Sequence, residues 1–326
     1  MHTSTLIESL KQGSNTLEPC KPFVDTCSDE LKDDVTARRY DILSDFTAVY
    51  NFLEETYDET TLNSYLLPQY FEYAHSLLWF DYVRAHRMGL WEQNGNIVGI
   101  AAYEMEIGTA HLHTKKSCRY LLPKLLEWAE REISIKRDGK TNLRVWITDK
   151  EPEKQELLKN NGYQLVHNEP VTVFRYTNPF VERQLPDGYK IIDGTQVDYA
   201  KQAECFWRGF NHEDDPPENN IDGNIKCSVA PHADMTLDTI ITAPNGDYAC
   251  ALGMWYDKRN KYAYLEPLAT VPKYRRKGLA AIALTEAMRK TKVLGAEYCF
   301  GGAGEFYTAI GFETVCNREL WKKEWE

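Results

Sequence analysis

The residues with the clearest chemical potential lie at a predicted junction between a strand and a helix, in the segment LATVPKYRRKGLAAIALTEAMRK, 268–290. The strand is predicted to end at Pro272, because proline cannot continue a central ladder. The next residues, KYRRK, carry four positive charges in five positions, and an alanine-rich amphipathic helix follows. The first amides of a helix lack intrahelical acceptors, and its dipole favours a bound anion. Gly278 and Ala280 are small enough for a bulky anion to approach the backbone. We therefore predict a pyrophosphate site on the amides of Arg276, Lys277, Gly278, Leu279, Ala280 and Ala281.

This segment resembles a known signature. In VPKYRRKGLA, residues Arg275, Gly278 and Ala280 fill the positions of R/Q-x-x-G-x-G/A, the acyl-CoA signature of the GCN5-related N-acetyltransferases (the GNAT superfamily). Downstream, FYTAIGFE at 306–313 resembles the Y-x-x-x-G-F element of the same family, with Tyr307 as its tyrosine. One feature departs from the pattern, because the asparagine that many members carry about seven residues before this tyrosine is absent. The resemblance covers about 240–326 and extends back to 187.

The resemblance implies a fold and a donor. In relatives the sheet opens after its fourth strand, and the pantetheine arm of acetyl-CoA, a co-substrate, pairs with the exposed strand edge. By position that edge comprises Leu268, Ala269 and Thr270. Tyr307 resembles the general acid that protonates the departing thiolate. Its alternative interpretation is a tyrosine that only packs the core.

A base is also needed, because the acceptor ammonium must lose a proton before it attacks. Glu266 lies two residues before Leu268, so alternation along the strand predicts that both face the same way. The alternative is an ion-paired surface glutamate. The loop at 209–220 could attract a cationic amine through Glu213, Asp214, Asp215 and Glu218, although a solvated acidic loop is the simpler interpretation. His212 is an alternative base.

The order of elements repeats after about 150 residues, which predicts two α/β domains, each with a twisted mixed sheet flanked by helices. Asn94-Gly95-Asn96 and Pro244-Asn245-Gly246 mark equivalent hairpin turns. We predict an N-terminal extension at 1–38 (a helical arm or a poorly ordered lead), a degenerate GNAT-like domain at 39–180 and a GNAT acetyltransferase domain at 187–326. The segment Asn178 to Tyr189, with two prolines and a glycine, is the predicted linker.

The first half lacks the chemical signature of the second. Its corresponding turn, HTKKSCRYLLPKLLEWAE, contains no glycine, and Tyr120 and Leu122 would block approach to the backbone. Leu158 stands where the acid would be. We therefore expect this half to be structural, or to form a wall for the substrate of the second half.

Composition narrows the function further. The chain has 326 residues and a net charge of −11, so a general nucleic-acid binder is disfavoured. No apolar run approaches a membrane span and no signal peptide is evident, so we expect a cytoplasmic protein without a membrane partner. The eight cysteines have no metal-binding spacing, and His111 and His113 fit chance alternation along a strand, so no metal is predicted.

The leading interpretation is an acetyl-CoA-dependent N-acetyltransferase acting on a primary amine of a small molecule. A non-catalytic acyl-CoA or metabolite-binding protein is one alternative, and acetylation of a protein N-terminus or lysine is the other. A homodimer is compatible with the sequence.

Overall fold

The computed structural model describes residues 24–26, 34–137, 139–217 and 220–326. They form a mixed α/β structure around one continuous sheet, which confirms the predicted fold class. The strands are β1 Val24–Thr26, β2 Val35–Arg39, β3 Gly89–Gln93, β4 Asn96–Ala102, β5 Thr109–Thr114, β6 Ile135–Arg137, β7 Lys140–Thr148, β8 Gln164–Arg175, β9 Lys190–Ile192, β10 Thr239–Thr242, β11 Tyr248–Asp257, β12 Tyr262–Thr270, β13 Tyr298–Phe300 and β14 Glu313–Trp325. The helices are α1 Phe46–Glu55, α2 Pro68–Ser76, α3 Leu122–Trp128, α4 Pro152–Asn160, α5 Tyr199–Gly209, α6 Asn220–Ser228, α7 Leu279–Leu294 and α8 Glu305–Ala309.

The two halves exchange their last strands. The sheet order is β1-β2-β3-β4-β5-β7-β14-β8-β13-β12-β11-β10-β9, with β6 paired to β7 at the side. Strand β8 from the first half lies between β14 and β13, and strand β14 from the second half lies between β7 and β8. The exchange makes one sheet of both halves, so residues of each half can reach the centre of the molecule.

Turn chemistry explains the paired hairpins. Asn94 and Gly95 both have positive φ, as a two-residue hairpin loop requires, and they join β3 to β4 as predicted. The turn at Gly246 joins β10 to β11 in the same way. The first strands, by contrast, were not predicted, because β1 and β2 lie within the segment interpreted as a helical arm or a poorly ordered lead. The rest of that segment, 1–23 and 27–33, lies outside the described residues.

Helices cover both faces of the C-terminal sheet. Ile240 on β10 packs with Cys205 of α5, whereas its neighbour Ile241 packs with Ala283 and Leu284 of α7. Alternate side chains of a strand point to opposite faces, so α5 and α7 lie on opposite sides of the sheet. Among the described residues, no helix is long and apolar enough to cross a membrane.

Aromatic side chains fill the junction between the halves. Leu67 and Tyr70 of α2 share a core cluster with Tyr262 and Tyr264 of β12 and with Phe300 of β13. The cluster is fixed by polar contacts as well, since the Tyr262 hydroxyl donates to Gln69 Oε1 at 2.6 Å. The face of β12 opposite α7 is therefore covered by the N-terminal half.

Candidate active site

A cleft opens between β12 and β13. The two strands pair only at Tyr262–Tyr264 and Tyr298–Phe300. Beyond this point β12 keeps its other neighbour, because Leu268, Ala269 and Thr270 still pair with β11. Their second edge has no strand beside it among the described residues. We call this gap, between residues 265–270 and 301–307, the C-terminal cleft, and its free edge can pair with an extended ligand.

A β-bulge turns Glu266, at the edge of the cleft, toward the N-terminal half. The register between β11 and β12 shifts so that Leu252 faces Leu268 while Met254 faces Leu265, with two residues of β12 opposite only Gly253. Leu265 and Leu268 both pack with α7. The prediction that Glu266 and Leu268 share a strand face was therefore wrong, because the bulge inserts one extra residue between them. Glu266 instead faces the N-terminal half.

The turn at the mouth of the cleft has the geometry of an anion site. Arg276 and Gly278 have φ of 64° and 78°, and left-handed residues in such a turn point successive amides to one side. The first amide bonded back to the turn is that of Ile282, which donates to Gly278 O at 3.1 Å. The amides of 276–281 make no hydrogen bond to any described residue, and no side chain caps α7. These residues are the predicted set Arg276, Lys277, Gly278, Leu279, Ala280 and Ala281.

Arg275, the first residue of the signature, stabilises this turn instead of facing the anion site. Its Nε donates to Thr270 O at 3.0 Å, and its Nη2 donates to Gly209 O at 2.8 Å. The side chain thus connects the end of β12 to the end of α5. It fixes where the free amides lie.

Sequence reasoning missed a further cation at this turn. The linker packs along α7, where Thr285 Oγ1 donates to Val181 O at 3.2 Å and Phe180 joins the core. This path places Arg183 over the turn, because a Cβ at Gly278 would lie 3.1 Å from Arg183 Cδ. The exposed guanidinium can add positive charge to an anion bound there. Only the contacts between the linker and α7 reveal the position of Arg183, because the sequence around Arg183 contains no motif.

Tyr307 lies at the β13 side of the cleft, on the short helix α8. Its ring packs against Gly302, where a Cβ would come within 2.1 Å of Tyr307 Cζ, so a glycine is required. Burial, then the neighbouring Cys299 and Glu266, raise the pKa of Tyr307 well above its usual value. The phenol therefore keeps its proton at neutral pH. No described residue hydrogen-bonds its hydroxyl in this arrangement.

Glu266 lies among tyrosines and a second carboxylate. Burial and the negative charge of Glu104 raise the pKa of Glu266 to about 7, and a hydrogen bond with Tyr264 partly offsets them. Glu104 follows β4 of the N-terminal half and bonds to Tyr70; burial raises its pKa as well. A carboxylate with a pKa near neutral suits a general base. Sequence analysis missed Glu104, because only the fold brings it to β12.

In its described residues, the acidic loop at 209–220 does not contribute negative charge near Glu266. Arg208 binds Asp215 at 3.0 Å and the carbonyl oxygens of Glu213 and Asp214, and Glu218 lies outside the described residues. His212 stacks on Trp207 with ring centroids 4.0 Å apart. His212 and Glu213 line a groove of about 830 Å³ between α5 and the 271–274 turn. The electrostatic neighbours of Glu266 are instead Glu104, Tyr264, Tyr73 and Tyr307.

The equivalent cleft of the N-terminal half is closed by its own chain. Strands β5 and β7 also separate, after His111 and Trp146. A turn at Leu62–Tyr65, in which all four residues have positive φ, packs against both strands. Ser64 in this turn donates to Glu151 at 2.7 Å and contacts Lys154. A cavity of only about 40 Å³ remains beside this network.

A family model matches the part of the chain that forms the cleft. Residues 203–312 match the sequence model of the Acetyltransferase (GNAT) family, and the match spans the cleft, the anion turn and Tyr307. This part of the C-terminal half is therefore similar to the GNAT family. No curated protein sequence gives a significant match to the chain.

Solved structures extend the GNAT likeness to the whole fold. A GCN5-related N-acetyltransferase from Sphaerobacter thermophilus aligns with a TM-score of 0.57 at 15% identity, covering 90% of this chain and 96% of that one. A tandem GNAT protein from the clavulanic acid biosynthesis pathway gives 0.57 at 12% identity, with 89% and 98% covered. N-myristoyltransferase from Saccharomyces cerevisiae gives 0.53 at 11% identity, with 94% and 82% covered. The chain therefore has a tandem GNAT fold.

Proposed function

We propose that this protein transfers an acetyl group from acetyl-CoA to a primary amine of a small molecule, in the C-terminal cleft. The observation that carries the proposal is the placement of Glu266 and Tyr307 on the two sides of a cleft whose mouth exposes unpaired amides. The residues present fit the donor. Pyrophosphate would bind the amides of Arg276–Ala281, and the pantetheine arm would pair with the edge at Leu268–Thr270.

The residues divide the proton transfers between them. Glu266 removes a proton from the acceptor ammonium, directly or through one water. The freed amine attacks the thioester carbonyl, so a C–N bond forms and the C–S bond breaks. Tyr307 gives its proton to the departing sulfur, and the second proton that the nitrogen loses returns through water to the Tyr307 phenolate. The cleft also holds both reactants together, which supplies much of the rate.

The N-terminal half supports a small acceptor. It covers the face of β12 to which Glu266 points, and Tyr70 and Glu104 are its contribution there. A wall on this side narrows the space beside the reacting groups. The same argument makes a folded protein substrate less favourable. We further propose a cytoplasmic enzyme without nucleic-acid or membrane partners, for which the sequence leaves a homodimer open.

An amine panel tests the proposal. Purified protein, acetyl-CoA and each amine would be followed by release of free CoA, with hydrolysis in the absence of amine subtracted. We expect amine-dependent release that Glu266→Gln and Tyr307→Phe both reduce. Binding of acetyl-CoA without release for any amine would favour the non-catalytic binding protein. Release with peptides alone would favour a protein substrate.

A further inference from the structure

The exchanged strand β14 delivers a buried arginine to the junction between the halves. The Arg318 side chain is only 13% exposed. Its guanidinium carbon lies 3.8 Å from the centroid of the Trp146 ring and 4.6 Å from that of Tyr65. The two rings hold the guanidinium plane in place. Its orientation is therefore set before any ligand arrives.

The charge of Arg318 is poorly matched by the protein. Tyr70 accepts a hydrogen bond from the guanidinium, but the Nε has no hydrogen-bond partner among the described residues. Its ion pair with Glu169 is 3.6 Å long, beyond the 2.7–2.9 Å or so of a charge-assisted hydrogen bond, and Glu169 is itself 41% exposed. Glu104 is the other carboxylate whose charge acts on Arg318. A buried guanidinium with five donors and no bidentate partner is costly to keep unless something else satisfies it.

Arg318 and Glu266 flank the same tyrosines. Tyr65 lies under Arg318 and is 6.2 Å, between ring centroids, from Tyr264, which hydrogen-bonds to Glu266. Tyr65, Glu104, Glu266 and Arg318 are each partly exposed, so a ligand beside the cleft can reach them. A fixed cation and a carboxylate without an ion pair among the described residues thus lie on either side of one aromatic surface. This arrangement is complementary to a molecule with both an amino group and an acid group.

We propose that the acceptor is an amino acid, whose carboxylate pairs with Arg318 while its amino group lies at Glu266. The inference rests on the proposed acetyl transfer and narrows its substrate class. The planar guanidinium offers two parallel N–H groups, which match the two oxygens of a carboxylate. An N-terminal peptide has no such carboxylate next to its amine. The proposal therefore separates a small acceptor from a protein one.

The test compares amino acids with their uncharged or decarboxylated counterparts. Glycine, phenylalanine, β-alanine and γ-aminobutyrate would each be assayed beside the matching amide and the matching simple amine, by release of CoA. O-phosphoethanolamine would test whether the anion is a phosphate instead. We expect at least one amino acid to exceed its amide in kcat/KM by about 10- to 100-fold, the range for a hydrogen bond to a charged group. Amides or simple amines that work as well as the acid in every set overturn the proposal.

Variants of Arg318 provide the second arm. We expect Arg318→Gln to raise KM for the amino acid by about 10- to 100-fold and to lower the ratio of kcat/KM for the acid to that for its simple amine by a similar factor. The preference for acid over amide should then disappear. Lys322→Gln on the same strand, at an exposed position paired with Glu324, is the matched control. Acetyl-CoA affinity and thermal unfolding would be measured for each variant.

The outcomes distinguish failure of the proposed acetyl transfer from failure of the amino-acid acceptor. Loss of acetyl-CoA-dependent release with every amine would refute the proposed function itself. Activity on simple amines with no preference for acids would retain that function and refute only the amino-acid acceptor. Retained acid preference in Arg318→Gln would also refute it. A preference for O-phosphoethanolamine that Arg318→Gln removes would replace the carboxylate with a phosphate, and so would contradict the proposal as stated.

Discussion

Replacing Tyr307 by phenylalanine tests the acid without disturbing the fold. The substitution removes one hydroxyl, which no described residue hydrogen-bonds, and keeps the ring that fits against Gly302. Unfolding free energy should therefore change by less than about 0.5 kcal/mol. Turnover should fall by roughly 10²- to 10⁴-fold, which is about 3–5 kcal/mol of transition-state stabilisation. The lower end is favoured, because a thiol with a pKa near 8.5 can also depart as the anion.

The assay is steady-state turnover of one accepted amine, combined with calorimetric affinity for acetyl-CoA. Tyr256→Phe is the matched control, because the Tyr256 hydroxyl donates to Leu294 O at the C-terminal end of α7, away from the anion turn. The affinity of Tyr307→Phe should change little, since the anion turn and the edge of β12 remain. Turnover within about twofold of wild type would refute the acid role. Lost affinity with normal turnover would make Tyr307 a residue that positions the donor.

Three further outcomes are expected. The pKa of Glu266 is about 7 and its ionised form is the base, so kcat/KM should rise as pH increases through about 7. Glu266→Gln should lose this rise. A variant with an unchanged pH profile would count against Glu266 as the base. Lys154→Met should lower stability by about 3 kcal/mol in thermal unfolding, because it leaves the buried Glu151 without its cation. The folded-state pKa of Glu151 is depressed, so this contribution is present above about pH 4.5 and is lost as pH falls through the lower, folded value; a loss independent of pH would contradict the pairing. Arg183→Ala should weaken acetyl-CoA binding by about three- to tenfold by calorimetry, while Arg289→Ala, three helical turns along α7, should not.

Local signals were sufficient to predict part of the candidate site. The anion turn and Tyr307 were predicted, because strand ends, small residues and helix starts are specified over a few neighbouring residues. Glu266 was found for the same reason, but its direction was wrong. A bulge opposite Gly253 depends on how two strands pair, and alternation within one strand cannot reveal it.

Long-range contacts account for what the sequence could not provide. Glu104 and Arg318 come from opposite ends of the chain, and only the exchange of β8 and β14 places them beside β12. Arg183 reaches the anion turn because Phe180 and Val181 pack on α7. The blocked turn at Tyr120 and Leu122 stays a prediction, and closure of the N-terminal cleft by Leu62–Tyr65 was not predicted. The structure adds a left-handed turn and a buried ion pair, which no periodic pattern encodes.

A calorimetric titration with acetyl-CoA tests the central claim most directly. The claim is that one donor binds per chain, on the free amides next to Gly278, while the N-terminal cleft is closed. Any other residue at position 278 is strained by the positive φ, which should lower stability by about 1–2 kcal/mol. Gly278→Ala is therefore the control for this strain. We expect one site in the wild type, affinity within about tenfold of it for Gly278→Ala, and no measurable binding for folded Gly278→Glu, whose carboxylate would lie where the pyrophosphate binds. Two sites per chain, or unchanged affinity in Gly278→Glu, would contradict the claim.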